Sequence, residues 1–183
     1  MSRRQDSAAW FLVPAACIVA APAYAMHYLN VEDAQKLAFP QADAFVPVPY
    51  APTPVQRRAI DEAAHAHATV GDPTLWRVTA AGQPLGWFIV DNVIGKVERI
   101  TYSLALGRDG AVRSIEILDY RETHGYEVRN AAWLRQFEGK NARTPLEFEA
   151  DIKNISGATL SCRHLTDGVR RLLDLHDIVL KGS

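Results

Sequence analysis

Two segments in the middle of the chain alternate between apolar and polar residues, and this period of two constrains the fold most strongly. In the first segment, residues 99–106, one face carries Ile100, Tyr102, Leu104 and Leu106. The turn "GRDGA" follows, and the second segment, "VRSIEILDY", returns antiparallel. Side chains alternate across a strand, so the pattern predicts a hairpin with one apolar face and one face in contact with water.

Two earlier segments, "LWRVTAAG" and "PLGWFIVDNVIG", extend this hairpin to a predicted meander of about four strands. Helical patterns lie on both sides of the meander. Asn30 can cap a short helix, and Thr53-Pro54 opens a second helix that runs towards Gly71. The proline-rich stretch between these helices is expected to be extended and to pack over the surface.

After the meander, a helix is predicted near residues 130–137 and a final helix after residue 158. The apolar stripe of the final helix consists of Leu165, Val169, Leu172 and Leu173. The predicted fold class is therefore α+β, an antiparallel β-meander sheet packed with helices.

The first residues have the pattern of an export signal. A positive segment, "MSRRQDS", precedes the apolar stretch "AAWFLVPAACIVAAPA", and "AYA" forms a small-x-small cleavage site. We expect residues 1–25 to be a signal peptide cleaved after Ala25, and residues 26–183 to be one domain in the periplasm. An uncleaved N-terminal membrane anchor is the alternative.

Charge and cysteine content exclude several classes of function. The net charge is −1 and no basic block is present, which argues against nucleic-acid binding. Cleavage after Ala25 would leave Cys162 as the sole cysteine, so an internal disulfide would be impossible and we expect this thiol to be buried. His65 and His67 would point in different directions on a helix, so no metal site is predicted there.

The segment "SGATLS" before the final helix could hold a phosphate. Gly157 lets the backbone turn without a Cβ atom, and Ala158 leaves the approach uncrowded. Amides of the turn and the positive end of the helix favour an anion, and hydroxyl groups at residues 156, 159 and 161 add donors. The alternative is an ordinary helix cap with surplus hydroxyl groups.

Three segments in order carry a resemblance to a known family. They are "ETHGYE", "WLRQFEGK" and "SGATLS", and they follow the β-meander over about the last hundred residues. This set resembles the FMN-binding domain family, which includes the FMN-carrying subunits of the sodium-translocating NADH:quinone reductase and of Rnf electron-transport complexes. The fold that the resemblance implies is the same antiparallel sheet with helices.

The resemblance implies a covalently attached FMN. In the family, a flavin transferase uses FAD to esterify the last threonine of Ser/Thr-Gly-Ala-Thr, which here is Thr159. The other cofactor-binding residues that the resemblance implies are Ser156, Gly157, Ala158, Ser161, Glu122, Thr123, His124, Gly125 and Lys140. One position departs from the family pattern: Lys153 stands where the transferase usually recognises an aspartate. Non-covalent FMN binding therefore stays an alternative.

The expected function is electron transfer by a periplasmic FMN-binding protein, with membrane or periplasmic redox partners and no catalytic base of its own. Two other functions are kept open. One is a flavin-dependent reductase of a small molecule, which would need a substrate cavity over the flavin ring. The other is a binding module without redox activity that has lost its covalent flavin, and Lys153 favours this reading.

Overall fold

The computed structural model describes residues 26–27, 29–63, 68–122 and 124–181. Within these residues, six antiparallel strands form one sheet in the order β1-β6-β5-β4-β3-β2. The strands are β1 (Met26–His27), β2 (Ala44–Val48), β3 (Thr74–Ala80), β4 (Gln83–Ile94), β5 (Arg99–Gly107) and β6 (Val112–Tyr120). The predicted leader, residues 1–25, and the pair His65 and His67 lie outside the described residues.

Strands β3 to β6 confirm the predicted meander and the α+β class. The turn between β5 and β6 closes where the Gly107 N–H donates to the Ala111 carbonyl at 2.8 Å. Leu104 then pairs with Ile115 across the hairpin. Strands β1 and β2 extend the sheet beyond the four strands that the sequence indicated, one at each edge.

The prediction of one water-facing side of the sheet is wrong. Ser103 and Ala105, on the supposed polar face of β5, are only 2% and 1% exposed. Helix α1 (Val31–Ala38) covers this face, and with Phe39 it forms a small core against Phe88 and Ala105. The short side chains on β5 allow this close cover, so they indicate a contact with a helix rather than with water.

The helices begin at the residues that the capping patterns indicated. Asn30 caps α1 by accepting from the Asp33 N–H at 2.8 Å. Thr53 and Gln56 cap α2 (Pro54–Ala63) reciprocally, since each side chain accepts from the other residue's N–H. The second helix does not reach Gly71, because the backbone of residues 68–70 pairs with β4.

The proline-rich connection is extended as predicted, and part of it forms β2, an edge strand paired with β3. Proline cannot donate to a strand ladder, and Pro47 accordingly lies in this edge strand. The connection therefore belongs to the sheet and does more than cover the surface.

The other face of the sheet carries the large core, and the final helix packs on it. Helix α3 (Ala131–Leu134) continues as a 3-10 turn to Phe137, which confirms the predicted helix in this region. Helix α4 (Thr159–Leu175) confirms the final helix, and a π-helical turn, His176–Leu180, follows it. The predicted apolar stripe of α4 is buried, as is the thiol of Cys162.

No helix in the described part of the chain combines the length and the apolar character that a bilayer crossing requires.

Candidate functional site

The turn before α4 leaves the positive end of the helix open. Gly157 has φ of 88°, a left-handed conformation that favours glycine, and a Cβ atom there would meet nothing within 4 Å. Ala158 takes the cap position and makes no side-chain hydrogen bond, and the first turn of α4 carries no acidic residue. The alternative interpretation, in which a hydroxyl side chain simply caps α4, therefore does not agree with the structure. The helix end remains available to an anion.

Thr159 is the first residue of α4, and its hydroxyl group has one side-chain partner. The Nδ2 group of Asn154 donates to the Thr159 Oγ1 atom at 3.1 Å. Thr159 is half-buried, and Leu160, which follows it, is 43% exposed. A hydroxyl group and an apolar side chain thus stand side by side at the start of the helix.

The facing wall is the loop between β4 and β5, residues 95–98, which is held from two sides. Glu122 Oε1 accepts from the N–H groups of Val97 and Glu98, at 2.5 and 2.9 Å. On the other side, His164 Nδ1 lies 2.7 Å from the Ile94 carbonyl oxygen and 2.9 Å from that of residue 95. Both partners are acceptors, so this nitrogen carries the proton.

The two walls enclose a cleft of about 500 Å³. Such a volume is typical of small-molecule sites, which span roughly 300–1,000 Å³. The lining residues are Lys96, Val97, Glu122, His124, Gly157, Ala158, Thr159, Leu160 and Ser161. Residues from three of the chain's segments therefore meet here, although 60 or more positions separate the loop from α4.

Six of the ten predicted cofactor residues line this cleft, namely Glu122, His124, Gly157, Ala158, Thr159 and Ser161. Gly125 lies directly behind the lining, since a Cβ atom there would be 3.4 Å from Ser161 Oγ and 3.5 Å from Ala158 Cα. Ser156 is exposed and is not among the lining residues. Thr123 lies outside the described residues.

Lys140 does not lie in the cleft. Its carbonyl accepts from the Val112 N–H at 2.8 Å, at the start of β6, whereas Glu122 follows the end of that strand. Eight residues of strand separate the two ends, which is about 26 Å at 3.3 Å per residue. The geometry therefore gives no support to the suggestion that Lys140 offsets the charge of a phosphate at Thr159. Lys96 is the cationic residue that lines the cleft.

The segment "WLRQFEGK" supports the cleft from behind through the backbone of Lys153. Trp133 Nε1 donates to the Lys153 carbonyl at 2.6 Å, and the Lys153 N–H donates to Gln136 Oε1 at 2.9 Å. The Trp133 ring is itself fixed edge-on against Phe137, with 5.3 Å between the ring centroids. The clamp that Trp133 and Gln136 form fixes where the chain enters the turn before α4.

Two weakly acidic groups sit beneath the cleft, and both are held in the neutral form. Burial raises the pKa of the Tyr120 phenol, and the neighbouring Ser161 hydroxyl opposes this shift. The phenol donates to the His124 carbonyl at 2.6 Å and so ties the residue 122–125 segment to β6. Burial also raises the pKa of the Cys162 thiol, which keeps that sulfur unreactive.

A buried ion pair fixes α4 to the sheet further along the helix. Asp91 on β4 is fully buried, and Arg171 on α4 is 3% exposed. The Arg171 Nη1 and Asp91 Oδ2 atoms are 3.3 Å apart, and the Tyr102 hydroxyl donates to the same carboxylate at 3.1 Å. Burial raises the pKa of Asp91, and the charge of Arg171 opposes this shift.

Several residues that line or support the cleft could not be predicted from the sequence. Lys96 and Val97 gave no signal, because nothing in the local pattern places the loop of residues 95–98 opposite α4. His164 gave no local signal either, because its two carbonyl partners lie 70 and 69 positions away. Asn154 could have been found, since it belongs to the same polar stretch as the turn.

A cleft built from a turn, an uncapped helix end and a facing loop defines a site for a phosphate-bearing cofactor. Residues 95–174 match the family model described as the FMN-binding domain. This matched segment is therefore of the FMN-binding type, and the match indicates FMN as its cofactor. A search of curated proteins finds no match.

The residues present fit FMN. The uncapped amides at the start of α4 suit the phosphate, and the left-handed Gly157 keeps its approach clear. Val97 and Leu160 line the same cleft with 69% and 43% of their surface exposed, which suits contact with a flat aromatic ring. Both parts of the cofactor thus have matching surfaces within one cleft.

Proposed function

We propose that the protein is an exported electron carrier whose FMN is joined to the chain by a phosphoester bond at Thr159. One observation supports this more than any other: Thr159 lines the cleft and is the first residue of a helix that has no side-chain cap. An ester there would place the phosphate at the positive end of α4. The family to which the matched segment belongs binds the cofactor that such an ester would contain.

The chain's own residues divide the task of holding FMN. When FMN is bound, the first-turn amides of α4 and the Ser161 hydroxyl would hold the phosphate, and Val97 and Leu160 would offer apolar contacts to the ring. Lys96 supplies positive charge, which favours the electron-rich reduced cofactor. When bound, FMN supplies the redox chemistry, whereas the protein sets its position and electrostatic surroundings.

A carrier fits the cleft better than an enzyme with a small substrate. The ring-contacting side chains of Val97 and Leu160 are partly exposed at the rim, so a protein partner can reach a ring held between them. A redox partner in the periplasm or at the membrane is the partner that we propose.

Export and attachment belong to the same proposal. The pattern of residues 1–25 supports a signal peptide, and a covalent bond prevents loss of the cofactor outside the cell's flavin supply. The modifying partner is a flavin transferase that uses FAD. Lys153 replaces the aspartate that such an enzyme usually recognises, so the transferase acting here must accept that change.

The test is co-expression with a flavin transferase, followed by measurement of the intact mass. We expect a mass gain of FMN minus water, lost in Thr159→Ala and kept in Ser156→Ala. Ser156 is a matched control, because it is exposed in the same turn and does not line the cleft.

Other outcomes would contradict parts of the proposal. A yellow protein of unmodified mass would show that FMN binds without the ester. A colourless protein would remove the carrier function altogether. Turnover of a small acceptor by the flavin-loaded protein, at rates above free FMN, would favour a reductase instead.

A further inference from the structure

We propose that Asn154 is a positioning residue for covalent attachment: it sets the rotamer of Thr159, so that the hydroxyl oxygen faces the incoming phosphate. This inference rests on the proposed ester at Thr159. The observation that carries it is the hydrogen bond from Asn154 Nδ2 to Thr159 Oγ1, at 3.1 Å. Two further features of the same segment make this contact a consequence of the fold.

The first feature is the fixed position of the backbone before Asn154. Lys153 is held at both of its main-chain polar groups, since its carbonyl accepts from Trp133 Nε1 and its N–H donates to Gln136 Oε1. Trp133 is 5% exposed, so its ring cannot move without disturbing the core. The backbone position of Lys153, where the chain enters the turn, is therefore fixed, and Asn154 is the next residue.

The second feature is the turn that brings Thr159 back to Asn154. The Ala158 N–H donates to the Ile155 carbonyl at 3.0 Å, and the left-handed Gly157 lies within the turn. The Cys162 N–H then donates to the Ala158 carbonyl and starts α4. Asn154 and Thr159 are thus the two ends of a closed turn, and their side chains bridge it.

The bridge has a chemical consequence for the transfer. In that reaction the Thr159 oxygen forms a bond to the FMN phosphorus of FAD, and the bond from that phosphorus to the bridging oxygen breaks. AMP leaves with the bridging oxygen, the hydroxyl proton is released, and no electrons are gained or lost. Because Asn154 donates to the oxygen, it occupies one lone pair and leaves the hydroxyl proton and the other lone pair directed elsewhere. A fixed orientation of the attacking atom accelerates such a step.

This arrangement also bears on the departure at Lys153. The side chain of Lys153 is exposed and its Nζ atom lies 3.4 Å from the Ala150 carbonyl. The hydrogen bond of that side chain thus goes to Ala150 and not to Thr159. Asn154, the next residue, makes the contact with the acceptor, so orientation of Thr159 does not depend on which side chain stands at position 153.

The experiment measures initial rates of FMN transfer from FAD to the purified, folded protein by a flavin transferase, with acceptor concentration varied. We expect Asn154→Ala and Asn154→Asp to lower kcat by roughly two- to tenfold, the range for one neutral hydrogen bond. KM should change little. The aspartate variant keeps the size of the side chain but has no N–H to donate. Lys36→Ala, at an exposed position of α1 on the other face of the sheet, is the control and should keep the wild-type kcat.

A second measurement reads the orientation before any flavin is present. Three-bond NMR couplings of the Thr159 methyl group should show one rotamer in the wild-type protein and averaging in Asn154→Ala. Asn154 is exposed, so the unfolding temperature of the variant should stay close to that of the wild type.

The outcomes separate this inference from the proposal on which it rests. Failure of wild-type transfer would overturn the ester, and this inference with it. This inference alone would be overturned by equal kcat for the wild type and Asn154→Ala, or by an effect on KM alone. An equal loss of kcat in Lys36→Ala, or a Thr159 rotamer that stays unaveraged in Asn154→Ala, would also overturn it. Full activity of Asn154→Asp would show that the donated hydrogen bond is not needed.

Discussion

Replacement of Arg171 by methionine should destabilise the fold strongly, because it would leave a buried carboxylate without its charge partner. Asp91 has no exposed surface, and its carboxylate lies 3.3 Å from Arg171. Removing one partner of such a pair costs about 3–5 kcal/mol, more than a typical single substitution. At a urea dependence of about 2 kcal/mol per molar, the unfolding midpoint should fall by about 2 M.

The loss should depend on pH in a defined direction. Burial raises the pKa of Asp91 in the folded protein, and Arg171 opposes that shift. Without Arg171 the folded-state pKa rises further above the unfolded value. A carboxyl group whose pKa is higher in the folded than in the unfolded protein stabilises the fold fully when the pH is below the unfolded-state pKa. This stabilisation is lost as the pH rises through the folded-state pKa. The deficit of Arg171→Met relative to the wild type should therefore be larger at pH 7 than at pH 4.5.

Urea unfolding at both pH values measures this prediction. The double variant Arg171→Met with Asp91→Leu is the control, and it should be more stable than Arg171→Met alone, because no charge remains buried. A deficit below about 1 kcal/mol at pH 7, or one that does not shrink at low pH, would refute the argument from the buried pair.

The remaining predictions concern the walls of the cleft. In thermal unfolding, Gly125→Ala should destabilise the protein by about 1–3 kcal/mol more than Gly139→Ala. Both glycines have positive φ, but of the two only Gly125 has a neighbour that an added Cβ atom would approach, namely Tyr120 Oη at 2.9 Å. Equal losses would mean that the close approach has no cost. Lys96→Gln should lower the midpoint potential of the bound flavin by roughly 20 mV, measured by spectroelectrochemical titration. This is the effect of removing one charge at about 8 Å with an effective dielectric constant of about 40. Lys140→Gln should leave that potential unchanged, and an equal shift in both variants would contradict the placement of Lys96.

The sequence predicted the elements whose signals are local. The hairpin of β5 and β6 and the capped start of α1 depend on residues within a few positions of one another, and the structure has both. The cover of the second sheet face was not predicted, because Ser103 and Ala105 read as a polar or weakly apolar face unless the helix that packs there is known. Small side chains are ambiguous in this way: they suit both water and a closely packed helix.

The candidate site shows the same division. Thr159 and its turn could be recognised from adjacent residues and from a resemblance to a family. Lys96 and His164 could not, because their contacts join segments about 70 positions apart and depend on the sheet having formed. Lys140 shows the opposite case: its position within a recognised segment suggested a place in the site, whereas its backbone pairs with the start of β6.

The two borders of the sheet have a consequence for how molecules of this protein behave when crowded together. One border consists of β1, two residues long within the described part of the chain, and of the rest of β6, against which the helical turns of residues 126–137 pack. The other border is β2, in which Pro47 has no N–H to offer. Neither border presents a long, regular ladder on which a strand from another molecule could continue the sheet. The protein should therefore resist fibrous aggregation through its sheet, even at high concentration.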